Sequence, residues 1–327
     1  MKNVSMQKIA DELGISKNSV SQALRDTKEV SDELKTEVRR VAEKLGYDYS
    51  PHKKKPKGTF AVLATSFALQ QASFFGEIIK YLYFYSGENQ RDILTVEVTP
   101  EMVEHEILPV QLSDYEGVFI VSHISDRYIS KIINQNIPTV IIDHHSYKFA
   151  ADCILTKNTD GAYLATNLLI EHGYKKIGFI GDIDFSPSYK ERYRGYVQAL
   201  TDSDLPLEEK VTITKIKENQ GELFNRLKGI ETIPEAWFCV NSGLAFMLNY
   251  YLQSLGYVIP RDISIICFDE TEFNHMAIPS ITNVSTDLKY MAQLGVTTLL
   301  NRLENPDLPY THTQIVPHLN ILESVKL

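Results

Sequence analysis

The sequence predicts a small all-α head joined to a larger α/β body with parallel sheets, and three observations carry that prediction. Residues 1–46 place apolar side chains at helical spacing in three short stretches, each opened or closed by capping residue types. From residue 59 onward, short runs of β-branched and aromatic residues alternate with helical patterns. Between these regions lies YSPHKKKPKGT, rich in Pro, Lys and Gly and without apolar periodicity. The head is therefore placed at 1–47, a linker at 48–58 and the body at 59–327. With 327 residues, 43% hydrophobic and 23% charged, the chain suits two or three packed units and is too apolar for disorder.

In the head, Ser5 is placed to cap a first helix whose buried stripe is Met6, Ile9, Ala10 and Leu13. Gly14 follows where a left-handed C-cap is wanted, and Ser16 opens a second helix burying Val20, Ala23 and Leu24. Ser31 caps a third, with Asp32 and Glu33 in its first turn and a stripe of Leu34, Val38, Val41, Ala42 and Leu45. Two helices joined by a tight turn and braced by a third make a helix-turn-helix.

The second helix decides the function of the head. At about 100° per residue, Lys17, Asn18, Ser21, Gln22 and Arg25 form one arc opposite the apolar side, and none is acidic. Asn and Gln match adenine, Lys donates to guanine, and Ser or Arg holds phosphate. Ser5 and Ser16 complete the candidate DNA-contacting set. Charge agrees with this assignment. Residues 1–57 carry 13 Lys and Arg against 9 Asp and Glu, a net of +4, whereas the rest carries 20 against 33, a net of −13. In the linker, Lys53, Lys54 and Lys55 are candidate phosphate contacts, with a solvated tether as the alternative.

The body's strand-like runs are Phe60–Thr65, Ile93–Val98, Gly117–Val121, Thr139–Asp143, Lys176–Ile180, Trp237–Val240 and Ser264–Phe268. Helical patterns cover Phe75–Tyr85, Ala162–Glu171 and Leu244–Leu255. Ligands of parallel sheets bind at the carboxyl ends of strands, so the residues ending these runs are the candidates. They include Ser66, Asp143, Asn241 and Asp269, with Arg192 nearby in the sequence of the second half. Amide, carboxylate and guanidinium groups suit a neutral polyol, although composition alone leaves sugar, purine and amino acid open.

The runs VSMQKIADELGISKNSVSQALRD and VSDELKTEVRRVAEKLGY resemble the head of the lactose/galactose repressor family of bacterial transcription regulators. NTDGAYLATNLLIEHGYKKIGFIG, RYRGYVQAL, VIPRDISIICFDE and PSITNVSTD are similar to motifs of that family's core. The resemblance implies a core folded like periplasmic sugar-binding proteins, with one subdomain about 59–156 and 287–316 and the other about 157–286 and 317–327. It implies that Lys17, Asn18 and Gln22 read base edges, and that Arg192, Asn241 and Asp269 bind a small-molecule effector. It places Asp143 near the same cleft and Phe74 and Phe75 at the head of the first core helix, where they read equally as core. It further implies a homodimer on near-palindromic double-stranded operator DNA.

The sequence departs from the family pattern in three places. The linker lacks the family's minor-groove leucine, and Pro56 would interrupt a short helix. Ser242 stands where the family has Asp after Asn241, and His144 follows Asp143 where it has Arg. Enzyme signatures are missing: Gly178-Phe179-Ile180-Gly181 lacks the P-loop Lys, there is no GxSxG, and Pro109 breaks any HExxH begun at His105. Neither a cofactor nor a metal is expected. No apolar run approaches the ~18 residues of a membrane span, and Asp11 and Glu12 sit where a signal peptide would be apolar. With three scattered cysteines as well, a cytoplasmic repressor is expected, nucleoid-associated when bound. The alternatives are a solute-binding protein without DNA regulation, and a corepressor-dependent repressor or activator.

Overall fold

The computed structural model describes residues 5–24, 30–45, 47 and 58–327. The chain divides into two compact units, Met1–Lys57 and Gly58–Leu327. Arg25, the linker lysines and Gly46 lie outside the described residues.

The head contains helices Met6–Leu13, Lys17–Leu24 and Asp32–Leu45 around a core of Ile9, Ala10, Val20, Ala23, Val38, Val41 and Ala42. Met6, Leu13, Leu24, Leu34 and Leu45, expected to be buried, are only partly so. Gly14 adopts φ 66° and donates its N–H to the carbonyl of Ala10, a left-handed cap that a side chain would strain. Ser16 caps as expected, its Oγ accepting from the N–H of Ser19 at 3.0 Å. Ser5 does not: its backbone is extended but its side chain makes no cap bond.

The second unit holds two six-stranded sheets. The first contains β1 (Gly58–Thr65), β2 (Arg91–Val98), β3 (Gly117–Val121), β4 (Thr139–Ile142), β5 (Asp152–Thr156) and β11 (His312–Ile315). Its order is β11-β5-β4-β3-β1-β2, parallel throughout. The second contains β6 (Ile177–Ile180), β7 (Thr212–Ile213), β8 (Ala236–Cys239), β9 (Ser264–Phe268), β10 (Thr282–Ser285) and β12 (His318–Asn320). Its order is β12-β10-β9-β8-β6-β7, and β12 runs antiparallel to β10. β1 begins at Gly58, one residue inside the expected linker, where its pairing with Arg91 starts.

Burial on both faces explains the continuous apolar runs. In β1, Phe60, Val62 and Ala64 pack under helices Glu77–Glu88 and Leu288–Glu304, while Ala61 and Leu63 face the opposite core with Tyr128 and Ile132. The chain crosses between the lobes after β5, after β10 and after β11. At the first two crossings Thr156 Oγ1 and Thr286 Oγ1 lie 3.2 Å apart.

In the second lobe, helices Asn158–Glu171 and Pro187–Asp202 meet at Gly195, where any Cβ would stand 2.1 Å from the carbonyl oxygen of Thr159. That approach sets Arg192, one turn earlier, against Asn158.

Candidate functional site

Between the two sheets, at the carboxyl ends of the strands, lies a cavity. The first lobe contributes Phe74, Phe75, Ser122, His123 and Asp143; the second contributes Tyr189, Arg192, Glu218, Asn241 and Asp269. Three of these residues end strands with left-handed backbone, Ser122 at φ 79°, Asp143 at 60° and Asp269 at 68°. Asp tolerates this conformation better than most residues. The turn it makes lifts each carboxylate off the strand end and into the cavity wall.

Arg192 is the centre of the second lobe's wall and only 1% exposed. Its guanidinium grips Asp269 with two bonds, Nη1 to Oδ2 at 2.7 Å and Nη2 to Oδ1 at 3.0 Å. Nη1 also donates to the carbonyl of Val240 at 2.8 Å and Nε to Asn158 Oδ1 at 3.0 Å. The Phe268 ring lies 3.9 Å from its central carbon, a cation–π contact in a desolvated place. Asn241 is the N-cap of helix Ser242–Ser254, its Oδ1 accepting from the N–H of Leu244 at 2.9 Å. The same amide donates to the Tyr189 hydroxyl at 2.6 Å and to Glu218 Oε2 at 2.8 Å. Burial raises the pKa of both Tyr189 and Glu218.

Asp143 is the contrast. Its Oδ1 is buried and has no hydrogen-bond partner among the described residues. Burial, reinforced by Asp269 and Glu191 and opposed by Arg192 and His145, pushes its carboxyl up to about 7. The adjacent His144 is 1% exposed, and burial drives it down to about 3, so its imidazole is neutral. Its Nδ1 faces Nδ1 of His123 at 3.4 Å. His145 reaches across the lobes, Nε2 to Glu191 Oε1 at 2.7 Å, and Asn158 donates to the other oxygen of Glu191 at 3.1 Å.

The structure thus brings Phe74, Phe75, Asp143, Arg192, Asn241 and Asp269 to one cavity. Both Phe74 and Phe75 are nearly buried and line it, their rings edge to face at 4.9 Å, so they are core and wall at once. Ser66 is a correction. It opens the helix Ser66–Gln70 and donates to Glu97 Oε1 at 2.5 Å, outside the cavity. Asp143 and Val240, read as the last strand residues, lie one position beyond β4 and β8. The helix placed at Phe75 starts at Glu77, after a wide turn at Ala72–Gly76 that carries both rings. Sequence reasoning missed Ser122, His123, Asn158, Tyr189 and Glu218. Ser122 and His123 directly follow a run that was found, so the strand-end rule reaches them. Glu218 comes after the two-residue β7, which carries almost no sequence signal, and Asn158 after β5, whose apolar run is only Cys153–Leu155.

In the head, Lys17 and Asn18 are exposed at the start of their helix, with Ser21 and Gln22 half-buried along it. A helix-turn-helix and a two-lobed core with a polar interlobe cavity define a ligand-responsive DNA-binding protein. Residues 5–50 match the family model for bacterial regulatory proteins, lacI family, and residues 166–325 match a periplasmic binding protein-like domain. The PurR transcriptional repressor of Mannheimia succiniciproducens is 25% identical over 330 residues, covering 98% of both chains. The ribose operon repressor of Haemophilus influenzae is 25% identical over 334 residues with the same coverage. A solved CelR–cellobiose complex superposes with a TM-score of 0.74 at 20% identity, over 98% of this chain and 99% of that one. The head thus carries the lacI-family regulatory domain, and the chain is a DNA-binding transcriptional regulator with an effector-binding core.

Proposed function

We propose that the protein is a homodimeric, cytoplasmic repressor, a binding protein and not an enzyme, whose grip on a near-palindromic operator is switched by a small sugar in the interlobe cavity. The observation that carries the effector reading is the convergence of two strand-end carboxylates, Asp143 and Asp269, from different sheets on one aromatic-walled cavity. Planar acceptors and an amide suit hydroxyl groups, and a ring face suits the apolar side of a sugar. Asp143 accepts from a sugar hydroxyl, because it alone of the two has an oxygen without a partner among the described residues.

On DNA, Lys17, Asn18 and Gln22 read base edges, while Ser5, Ser16, Ser21 and Arg25 hold phosphates. Lys53, Lys54 and Lys55 add phosphate contacts from the linker. Two heads are needed for a palindrome, and exposed apolar side chains support self-association. Phe84 (53% exposed) and Tyr83 project from helix Glu77–Glu88, and Ile278 (81%) and Met276 are exposed in the second lobe. Lobe closure around the effector changes the spacing of the paired heads, and only one spacing fits both half-sites.

The test is selection of bound duplexes from a random pool at stated salt, with and without a sugar panel. A palindrome whose enrichment a sugar abolishes supports the reading. Enrichment only with ligand reverses the logic to corepression, and none under either condition overturns it. Sedimentation of the free protein as a monomer at micromolar concentration would overturn the dimer.

A further inference from the structure

We infer that the effector is a glycoside bearing a flat apolar group, and that a second cavity beside the polar one receives that group. This rests on the sugar reading above and narrows it. The second cavity encloses about 370 Å³ and shares Phe67, Phe185, Tyr189, Glu218 and Asn241 as a common wall with the polar cavity. Its own floor is Ile216 and Leu244, both buried, with Asp182 and the exposed Lys217 at the rim.

Three features argue for an apolar occupant. Phe185 is 37% exposed although it sits at the lobe junction, with aromatic neighbours at 5.3 Å (Phe67), 5.2 Å (Tyr189) and 6.1 Å (His123). A partly exposed ring in such a cluster offers a face or edge to a further ring. A second sugar would need partners for its hydroxyls, but the floor is hydrocarbon, and Tyr189, Asn241 and Glu218 in the shared wall already bond one another. The Tyr189–Asn241–Glu218 cluster lies in the shared wall, where a linking oxygen between polar and apolar halves would pass. Because Phe67 belongs to the first lobe and Phe185 to the second, a ring seated against both makes a contact that depends on lobe closure. The apolar group then contributes to the difference in affinity between states, which is the only quantity that moves a switch.

The experiment is calorimetric titration of the full chain with matched methyl and phenyl glycosides of a series of common sugars. In the pair that binds best, the phenyl member should bind at least about tenfold tighter, with a more negative heat-capacity change. Ile216→Ala, outside the polar cavity, should cut that advantage to about twofold while methyl glycoside affinity stays unchanged. Should Ile216→Ala fail to fold, Ile216→Val should lower the advantage in the same direction by less. Equal affinity of methyl and phenyl members, or tighter binding of disaccharides, overturns the apolar subsite and leaves the sugar reading standing. Failure of every glycoside to bind overturns the sugar reading itself, and this inference with it.

Discussion

Asp143 and Asp269 both end strands, both have positive φ and both face the cavity, yet their substitution should have very unequal effects on stability. Asp269→Asn leaves Arg192 buried with two of its four protein hydrogen bonds secure, those to Asn158 and Val240. The new amide keeps one acceptor and turns an N–H₂ toward the guanidinium. Breaking one partner of a buried ion pair costs about 3–5 kcal/mol, and the retained acceptor places this case near ~3 kcal/mol. For a core of this size that corresponds to roughly 6–12 °C in Tm. Asp143→Asn removes a charge whose Oδ1 has no partner among the described residues, and Asn accepts φ 60°. It should cost less than ~1 kcal/mol at pH 7 or stabilise the fold. Urea unfolding at pH 7, followed by fluorescence of the buried Trp237, the chain's single tryptophan, reads both variants against wild type. The reasoning fails if Asp269→Asn lies within ~1 kcal/mol of wild type, or if the two variants cost the same.

Other consequences are as direct. Since the Asp143 carboxyl rises from 3.8 to about 7 on folding, the folded state holds a proton that the unfolded state has lost between those values. Its contribution to stability therefore falls as pH rises from 4 to 7 and is level above, by up to roughly 4 kcal/mol. The difference in unfolding free energy between wild type and Asp143→Asn, measured from pH 4 to 8, should show that slope; a flat difference contradicts it. Gln22→Ala should relax preference at one operator position and cost about 1–3 kcal/mol there, whereas uniform loss across sequences would make Gln22 a phosphate contact. Replacing Lys53, Lys54 and Lys55 with Ala should flatten the salt dependence of operator binding by about one unit of log–log slope for each phosphate no longer neutralised. An unchanged slope would leave them as tether.

What the sequence revealed follows from how much of each element's stability is apolar burial. β1, β3 and β9 bury every alternate residue in hydrocarbon on both faces, and their runs are plain in the chain. β10 is Thr-Asn-Val-Ser, buried through hydrogen bonds to Ser324, Ile281 and Glu270 rather than by greasy side chains, so no apolar period announces it. β7, β11 and β12 are short and stand at sheet edges, and Glu218, which follows β7, went with it. Ser66 shows the opposite error. It sits immediately after β1, but the Thr65 cap on Ala68 turns the chain into a helix and Ser66 finds Glu97 instead of the cavity. A strand end locates a cavity; the cap that follows decides which side chain enters it.

The bonding of Arg192 bears on where the switch draws its energy. A guanidinium has five N–H donors, and four are already engaged by Asn158, Val240 and Asp269. One remains for an effector, so Arg192 acts chiefly to hold Asp269 and the second lobe's wall in a fixed shape. Asp143 is different: it belongs to the first lobe, its buried Oδ1 has no partner among the described residues, and its ionisation is opposed by burial and by Asp269. An effector hydroxyl donated to Asp143 while the ligand rests on the rigid second lobe relieves that penalty only when the lobes are together. The relay from His145 through Glu191 and Asn158 to Arg192 ties the same two lobes by direct bonds. Closure and effector binding thus draw on one connected set of polar groups, and Asp143 is the member left with bonding capacity to give.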